Sequence, residues 1–211
     1  MARRTATPGH QIETLQARIR NCRICVDEPS GRPLPHEPRP VAVLSRTARI
    51  AVCGQAPGTR VHQSGVPFSD PSGVRLRSWM GVTNDEFYDP ARIAIVPMGF
   101  CFPGHDANGG DLPPRRECAR AWRDTVLAAM PQIELLLLVG RFAQVWHLGP
   151  DARPSLSRAV ADWRVILERA GPVRMLPLPH PSWRNTAWLA QRPWFESDLL
   201  PELRREVRLR V

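Results

Sequence analysis

The sequence predicts an α/β fold in three layers, with helices on both faces of a central four-stranded parallel sheet. Three observations predict it. Four short apolar runs, at about 48–53, 92–97, 134–139 and 173–179, have the length and composition of buried strands. Stretches with helical spacing separate these runs, and that alternation builds a parallel sheet covered on both faces. The runs give way to glycine or proline turns, and open α/β sheets place their ligands at such carboxyl ends.

The elements can be justified in order. Residues 10–21 set Ile12, Leu15 and Ile19 at helical spacing, leading into Cys22-Arg23-Ile24-Cys25. From Val26 to Pro40 the chain is rich in Pro, Gly and acidic residues, which suits an extended surface segment. The first strand, about 48–53, stops at Gly54 and turns through Gln55-Ala56-Pro57-Gly58. Glycine permits close approach of another molecule, and Pro57 fixes φ and has no N–H. A second turn, Gly65-Val66-Pro67-Phe68, offers an aromatic ring to stack on something flat.

A helix is predicted over 74–81, ending at Gly81, and the second strand follows at 92–97. Residues 105–114 are a loop, and Pro113-Pro114 opens a helix over 115–129. The most apolar strand, 134–139, ends at Gly140; helices are predicted at 142–148 and 155–169. The fourth strand runs straight into His180-Pro181-Ser182-Trp183-Arg184-Asn185, and a last helix spans 197–208. No internal repeat or boundary interrupts the chain, so residues 1–211 read as one domain of ordinary size.

Composition narrows the function. No run approaches the ~20 apolar residues of a membrane span, and the N-terminus lacks an apolar signal region, so a cytoplasmic protein is expected. The net charge is +9 and every basic residue is Arg. Arg forks onto phosphates and stacks on flat rings, so a polyanionic partner is compatible. Five cysteines, an odd number, argue against a disulfide framework and leave metal binding, a cluster or plain burial. The first turn carries neither a G-x-G-x-x-G nor a Walker pattern, which counts against the nucleotide-binding α/β enzymes.

GQAPG after the first strand, GVPF shortly after it, and HPSWRN after the last strand together resemble the uracil-DNA glycosylase superfamily. The resemblance spans about Cys22 to Asn185. It implies a DNA glycosylase that hydrolyses the N-glycosidic bond of uracil or another deaminated base, acting on DNA as a monomer. The cysteine pattern is similar to that of the iron–sulfur branches. Cys22 and Cys25 form a C-x-x-C step, Cys101 follows the second strand, and Cys118 lies early in the next helix. A [4Fe–4S] cluster on those four would tie down the 10–40 segment structurally, with a Cys₄ zinc site as the rival. Cys53, inside a strand, reads as core.

The resemblance also implies roles. His180 would donate a hydrogen bond to the departing base, where charge develops. Gln55, with Gly54, Ala56, Pro57 and Gly58, would hold water and the base edge, and Phe68 would stack on a flipped base. Two departures stand out. The turn has no carboxylate, and Pro97 stands where related branches place a base-reading Asn, so backbone groups of Met98 and Gly99 or the side chain of Asn185 would have to read the base. Ser64, Ser182, Trp183 and Arg184 would meet the DNA, Arg184 in the place of a wedging Leu. His105, a loop histidine, does not sit in the basic motif of the relative that uses one covalently. Loss of the carboxylate also opens an alternative: a non-catalytic binder of damaged or abasic DNA.

Overall fold

A computed structural model describes residues 8–149 and 156–211. Four strands, β1 (Ile50–Cys53), β2 (Ile93–Ile95), β3 (Leu135–Val139) and β4 (Arg174–Leu178), form one sheet in the order β2-β1-β3-β4. Every pairing between them is parallel, with Ile50 opposite both Ile93 and Leu135, and Leu135 opposite Arg174. Helices lie on both faces, as the three-layer prediction requires. Outside the strands, Val43 exchanges two backbone hydrogen bonds with Ile95 at 2.8 and 2.9 Å, occupying groups that the outer edge of β2 would otherwise leave open.

The core divides along β1 with the period of a strand. Ala51 and Cys53 face one apolar layer, built on Ile12, Leu15 and Ile19 of α1 (Pro8–Arg20) and Val126 of α6 (Arg116–Ala128). Ile50 and Val52 face the other, built on Leu76 and Trp79 of α4 (Pro71–Met80) and Leu203 and Val207 of α11 (Leu200–Arg208). All four β1 residues are buried, because successive side chains point to opposite, fully covered faces.

The helices differ from prediction at identifiable signals. A short α2 (Ile24–Asp27) follows the first helix, and α3 (Thr59–Ser64) fills the space between the two turns. α4 begins three residues before its predicted start: Asp70 caps it by accepting from the Gly73 N–H at 3.0 Å, and Pro71 suits the first turn. α5 (Asn84–Tyr88) is set by a capping box between Thr83 and Glu86. Between β3 and β4 lie α7 (Arg141–Leu148), α8 (Leu156–Ala161) and α9 (Trp163–Leu167), so the helix predicted over 155–169 is broken at Asp162; residue 155 lies outside the described residues. After β4 a 3₁₀ turn at Trp183–Asn185 leads into α10 (Thr186–Ala190). The last helix is entered through a π turn, Phe195–Leu199, next to Pro201, which has no N–H to give the usual ladder. Among the described residues no helix is long and apolar enough to cross a membrane.

Candidate active site

The carboxyl ends of β1 and β4 open into a cleft of about 80 Å³, floored by the turn Gly54–Gly58 and walled by Phe68, Pro97, Asp70, Asp111 and His180. It widens into a groove of about 650 Å³ bordered by Arg60, Arg75 and the segment Ser182–Arg184. Parallel strands β1 and β4 end at the same edge, which is why two motifs some 125 residues apart meet there.

The first turn is held from β2. The N–H of Met98 donates to the Gly54 carbonyl at 2.9 Å and that of Gly99 to the Gln55 carbonyl at 3.0 Å. Phe68 is the one non-glycine among the described residues with a left-handed backbone, φ 54°. Such a conformation costs about 1–3 kcal/mol and persists only when the surroundings over-determine it. Here its carbonyl accepts from Arg77 Nη1 at 3.2 Å and from the Tyr88 hydroxyl at 3.1 Å. Gly73 leaves that carbonyl room, since a Cβ on it would stand 1.7 Å from the oxygen. The ring lies edge-to-face on Phe87, with centroids 6.0 Å apart, and covers Gly54, where an added Cβ would sit 3.1 Å from Phe68 Cζ.

His180 follows β4 and packs over Gly140, 3.6 Å from where a Cβ there would stand. Its carbonyl accepts from Asn185 Nδ2 at 2.7 Å, closing the loop on itself. Burial pushes the imidazole below its ordinary range, against the pull of Asp70 and Asp111, so the ring is neutral near pH 7. A neutral ring at a cleft mouth has one N–H to donate without carrying a charge.

The uracil DNA glycosylase superfamily model matches residues 41–204, more than half of the chain. The chain belongs to the uracil DNA glycosylase superfamily. That superfamily generally comprises DNA glycosylases, hydrolases that act on DNA in repair. The match includes Cys101 and Cys118 and begins after Cys22 and Cys25.

Within this superfamily fold, the predicted site residues fall into two groups. Gln55, Ala56, Pro57, Gly58, Phe68 and His180 converge on the cleft, and Ser182, Trp183 and Arg184 line the groove beside it. Trp183 is 76% exposed, and the Arg184 guanidinium sits 5.7 Å from its ring centroid. Others are engaged elsewhere. The amide hydrogens of Met98 and Gly99 brace the turn, Met98 is buried, and Gly99 abuts Pro114, so these groups are not presented to a base. The Asn185 Nδ2 donates to the His180 carbonyl, and Asn185 is not among the residues that line the cleft. Ser64 Oγ bonds Ser69 Oγ at 3.0 Å and the Val66 N–H at 3.1 Å, shaping the loop before Phe68 rather than lining the groove.

Three residues escaped the sequence reading. Asp70 and Asp111 bring carboxylates to the cleft that the GQAPG turn lacks. Asp70 carried a signal, an Asp-Pro helix start; Asp111 carried none. Arg123 of α6, 1% exposed, reaches under the cleft: Nη1 donates to the Val96 carbonyl at 2.7 Å, and Nε to His147 Nε2 at 3.1 Å. A guanidinium only donates, so His147 must accept with an unprotonated nitrogen. Burial first, and the Arg123 charge second, push His147 from 6.5 down to about 3.

Cys22, Cys25 and Cys101 lie close enough to Cys118 of α6 for their charges to act on it, while Cys53 stays in β1. Among the described residues no group of three or more His, Cys, Asp or Glu stands in metal-ligating arrangement. Cys101 and Cys118 each feel the charges of both Cys22 and Cys25, and burial, before anything else, pushes Cys25 up to about 11 and Cys101 to about 12. Around them N–H donors already face sulfur. Trp122 Nε1 donates to Cys22 Sγ and the Phe100 amide to Cys118 Sγ, both at 3.3 Å. Thiolates held to a metal are stabilised by such donors, which is chemistry a metal on these cysteines would use.

Proposed function

We propose that the protein is a monofunctional DNA glycosylase that hydrolyses the N-glycosidic bond of uracil or another deaminated base, initiating base excision repair in the cytoplasm as a monomer. The observation that carries this reading is the neutral His180 at the mouth of a cleft roofed by Phe68 and floored by the GQAPG turn. An extruded base enters and stacks on Phe68. His180 donates to a carbonyl oxygen of the base as the bond to C1′ breaks and the electron pair leaves with the base. A donor of this kind acts on charge absent from the ground state, so it lowers the barrier without tightening binding. Gln55 positions the incoming water and the base edge.

Pro97 offers the base no side-chain hydrogen bond. With the amides of Met98, Gly99 and Asn185 engaged elsewhere, discrimination rests on Gln55 and pocket shape, which supports activity on several deaminated bases rather than uracil alone. Cys22, Cys25, Cys101 and Cys118 would hold a [4Fe–4S] cluster, or zinc in its place, that fastens the N-terminal segment to α6. The groove, with Arg60, Arg75 and Arg184, suits a phosphate backbone.

The test is base release from single- and double-stranded oligonucleotides carrying uracil, hypoxanthine, xanthine or a thymine mismatch, read as alkali-labile strand breaks. The lack of a carboxylate in the first turn favours a second reading, a binder of damaged or abasic DNA that performs no chemistry. Retarded complexes without alkali-labile breaks on any substrate would establish that reading instead.

A further inference from the structure

We propose that Asp111 supplies, from across the cleft, the carboxylate that the first turn lacks, and accepts the proton of the water that captures the sugar. This inference rests on the glycosylase reading and names the base for its second step.

The geometry selects Asp111 over Asp70, the other carboxylate at the cleft. Asp70 Oδ1 is the cap of α4, bonded to the Gly73 N–H at 3.0 Å, and turning it to a ligand would uncap the helix that carries Arg77. Asp111 has no such duty. Its Oδ1 lies 3.4 Å from His105 Nε2, while Oδ2 reaches over the turn, 3.2 Å from where a Cβ on Gly58 would sit. Glycine at 58 is what lets the carboxylate come that close to the turn backbone. Like Asp70, Asp111 borders both the cleft and the groove and its charge acts on His180; unlike Asp70, it caps no helix.

The segment that presents it is braced from two sides. His105 and Asp111 face each other in an antiparallel bridge, and Leu112 N–H donates to the Gly104 carbonyl at 2.9 Å. At the tip, Asp106 Oδ1 accepts from the amides of Asn108 and Gly110 at 2.8 and 2.9 Å. At the root, the His105 ring packs edge-on against Phe102, centroids 5.0 Å apart, and its Nε2 lies 3.1 Å from Thr59 Oγ1 of α3. A base acts only if held in place before the reaction, and this hairpin holds one.

The step balances. After the C1′–N bond breaks, with its electron pair on the base and His180 donating to that base, water oxygen forms the C1′–O bond. One water O–H bond breaks and its proton passes to Asp111. The departing base later takes a proton from solvent, and Asp111 returns its own, so no redox partner enters. Before capture, the same negative charge favours the cationic sugar.

The experiment measures single-turnover base release from a single-stranded uracil oligonucleotide by the wild type, Asp111→Asn and Asp111→Ala, with and without added sodium formate. Asp111→Asn keeps shape and loses the base, so that the sugar cation rejoins the held nucleobase more often than water captures it. Net release should slow on the order of a hundredfold with substrate affinity nearly unchanged. Formate, a small carboxylate, should restore part of the Asp111→Ala rate and leave His180→Ala unaffected; a side chain that merely shaped the loop would show no such rescue. An Asp111→Asn rate close to wild type, or an Asp111→Ala defect that formate leaves untouched, overturns the role of Asp111 while the glycosylase stands. Should uracil prove a poor substrate, the same comparison is made on whichever of the four lesions the wild type releases; wild-type protein that releases none of them from single or double strands overturns both.

Discussion

Replacing His147 with Gln should flatten the acid sensitivity of this fold by an amount that the structure sets. His147 accepts hydrogen bonds from Arg123, a guanidinium 1% exposed that cannot give up its own charge, and the histidine is pushed to about 3 from 6.5. Between those values the unfolded chain binds a proton that the folded chain refuses. Stability therefore rises with pH across this window and is lost as pH falls from 6.5 towards 3, while above 6.5 both states are neutral and the residue contributes no slope. At pH 5 the difference amounts to about 2 kcal/mol, a large share of the stability of an ordinary domain. The measurement is urea unfolding at pH 8 and pH 5 on wild type and His147→Gln, in which Gln still offers Arg123 an acceptor. His62 and His180 are also held low, so wild type should lose stability through them too, and only the difference between the two proteins reports on His147. Equal losses in both proteins would refute the reasoning and mean that Arg123 tolerates a second charge beside it.

His180→Ala should slow single-turnover base release by about 10²–10³ with little change in affinity, whereas Gln55→Ala should cost about tenfold by loosening the water; the reverse ranking would exchange their roles. Binding to DNA should fall steeply with salt, and Arg184→Ala should weaken duplex more than single-strand binding if the side chain fills the vacated stack; equal losses would reduce it to a phosphate contact. Purified protein should be brown with about four irons per chain, lose them on Cys118→Ala and keep them on Cys53→Ala; colourless protein with one zinc would replace the cluster and leave the fold as described.

The sheet was legible because three of its strands are continuous apolar runs closed by Gly or Pro, and a run buried on both faces has little else it can be. The two motifs were legible for the same reason: Gln55 and His180 stand within two residues of such strand ends. What stayed hidden depends on chain reversal or on burial against expectation. Asp111 sits in a polar loop whose approach to Gly58 is decided by a hairpin, not by its neighbours in sequence. Arg123 belongs to a stretch, RRECARAWRDT, that looks like a solvated helix face, yet its guanidinium is satisfied by carbonyls at the end of β2. Met98, Gly99 and Asn185 were placed near the base by position along the chain, and hydrogen bonding within the turns had already engaged them. Thr83 and Glu86 did spell a capping box, but for a helix of only five residues.

Phe68 has a consequence for how damage to this protein would be distributed. Its left-handed backbone is kept by Arg77, Tyr88 and the bare α-carbon of Gly73, none of which lines the cleft. Even the smallest side chain at 73 would collide with the carbonyl that fixes the ring. A saturation screen for base release should therefore return a second set of intolerant positions, 73, 77 and 88, with no chemistry of their own. Variants there would stay folded and lose activity by letting the aromatic roof swing out of register, so a map of inactivating substitutions would outline the loop's hinge as sharply as the cleft itself.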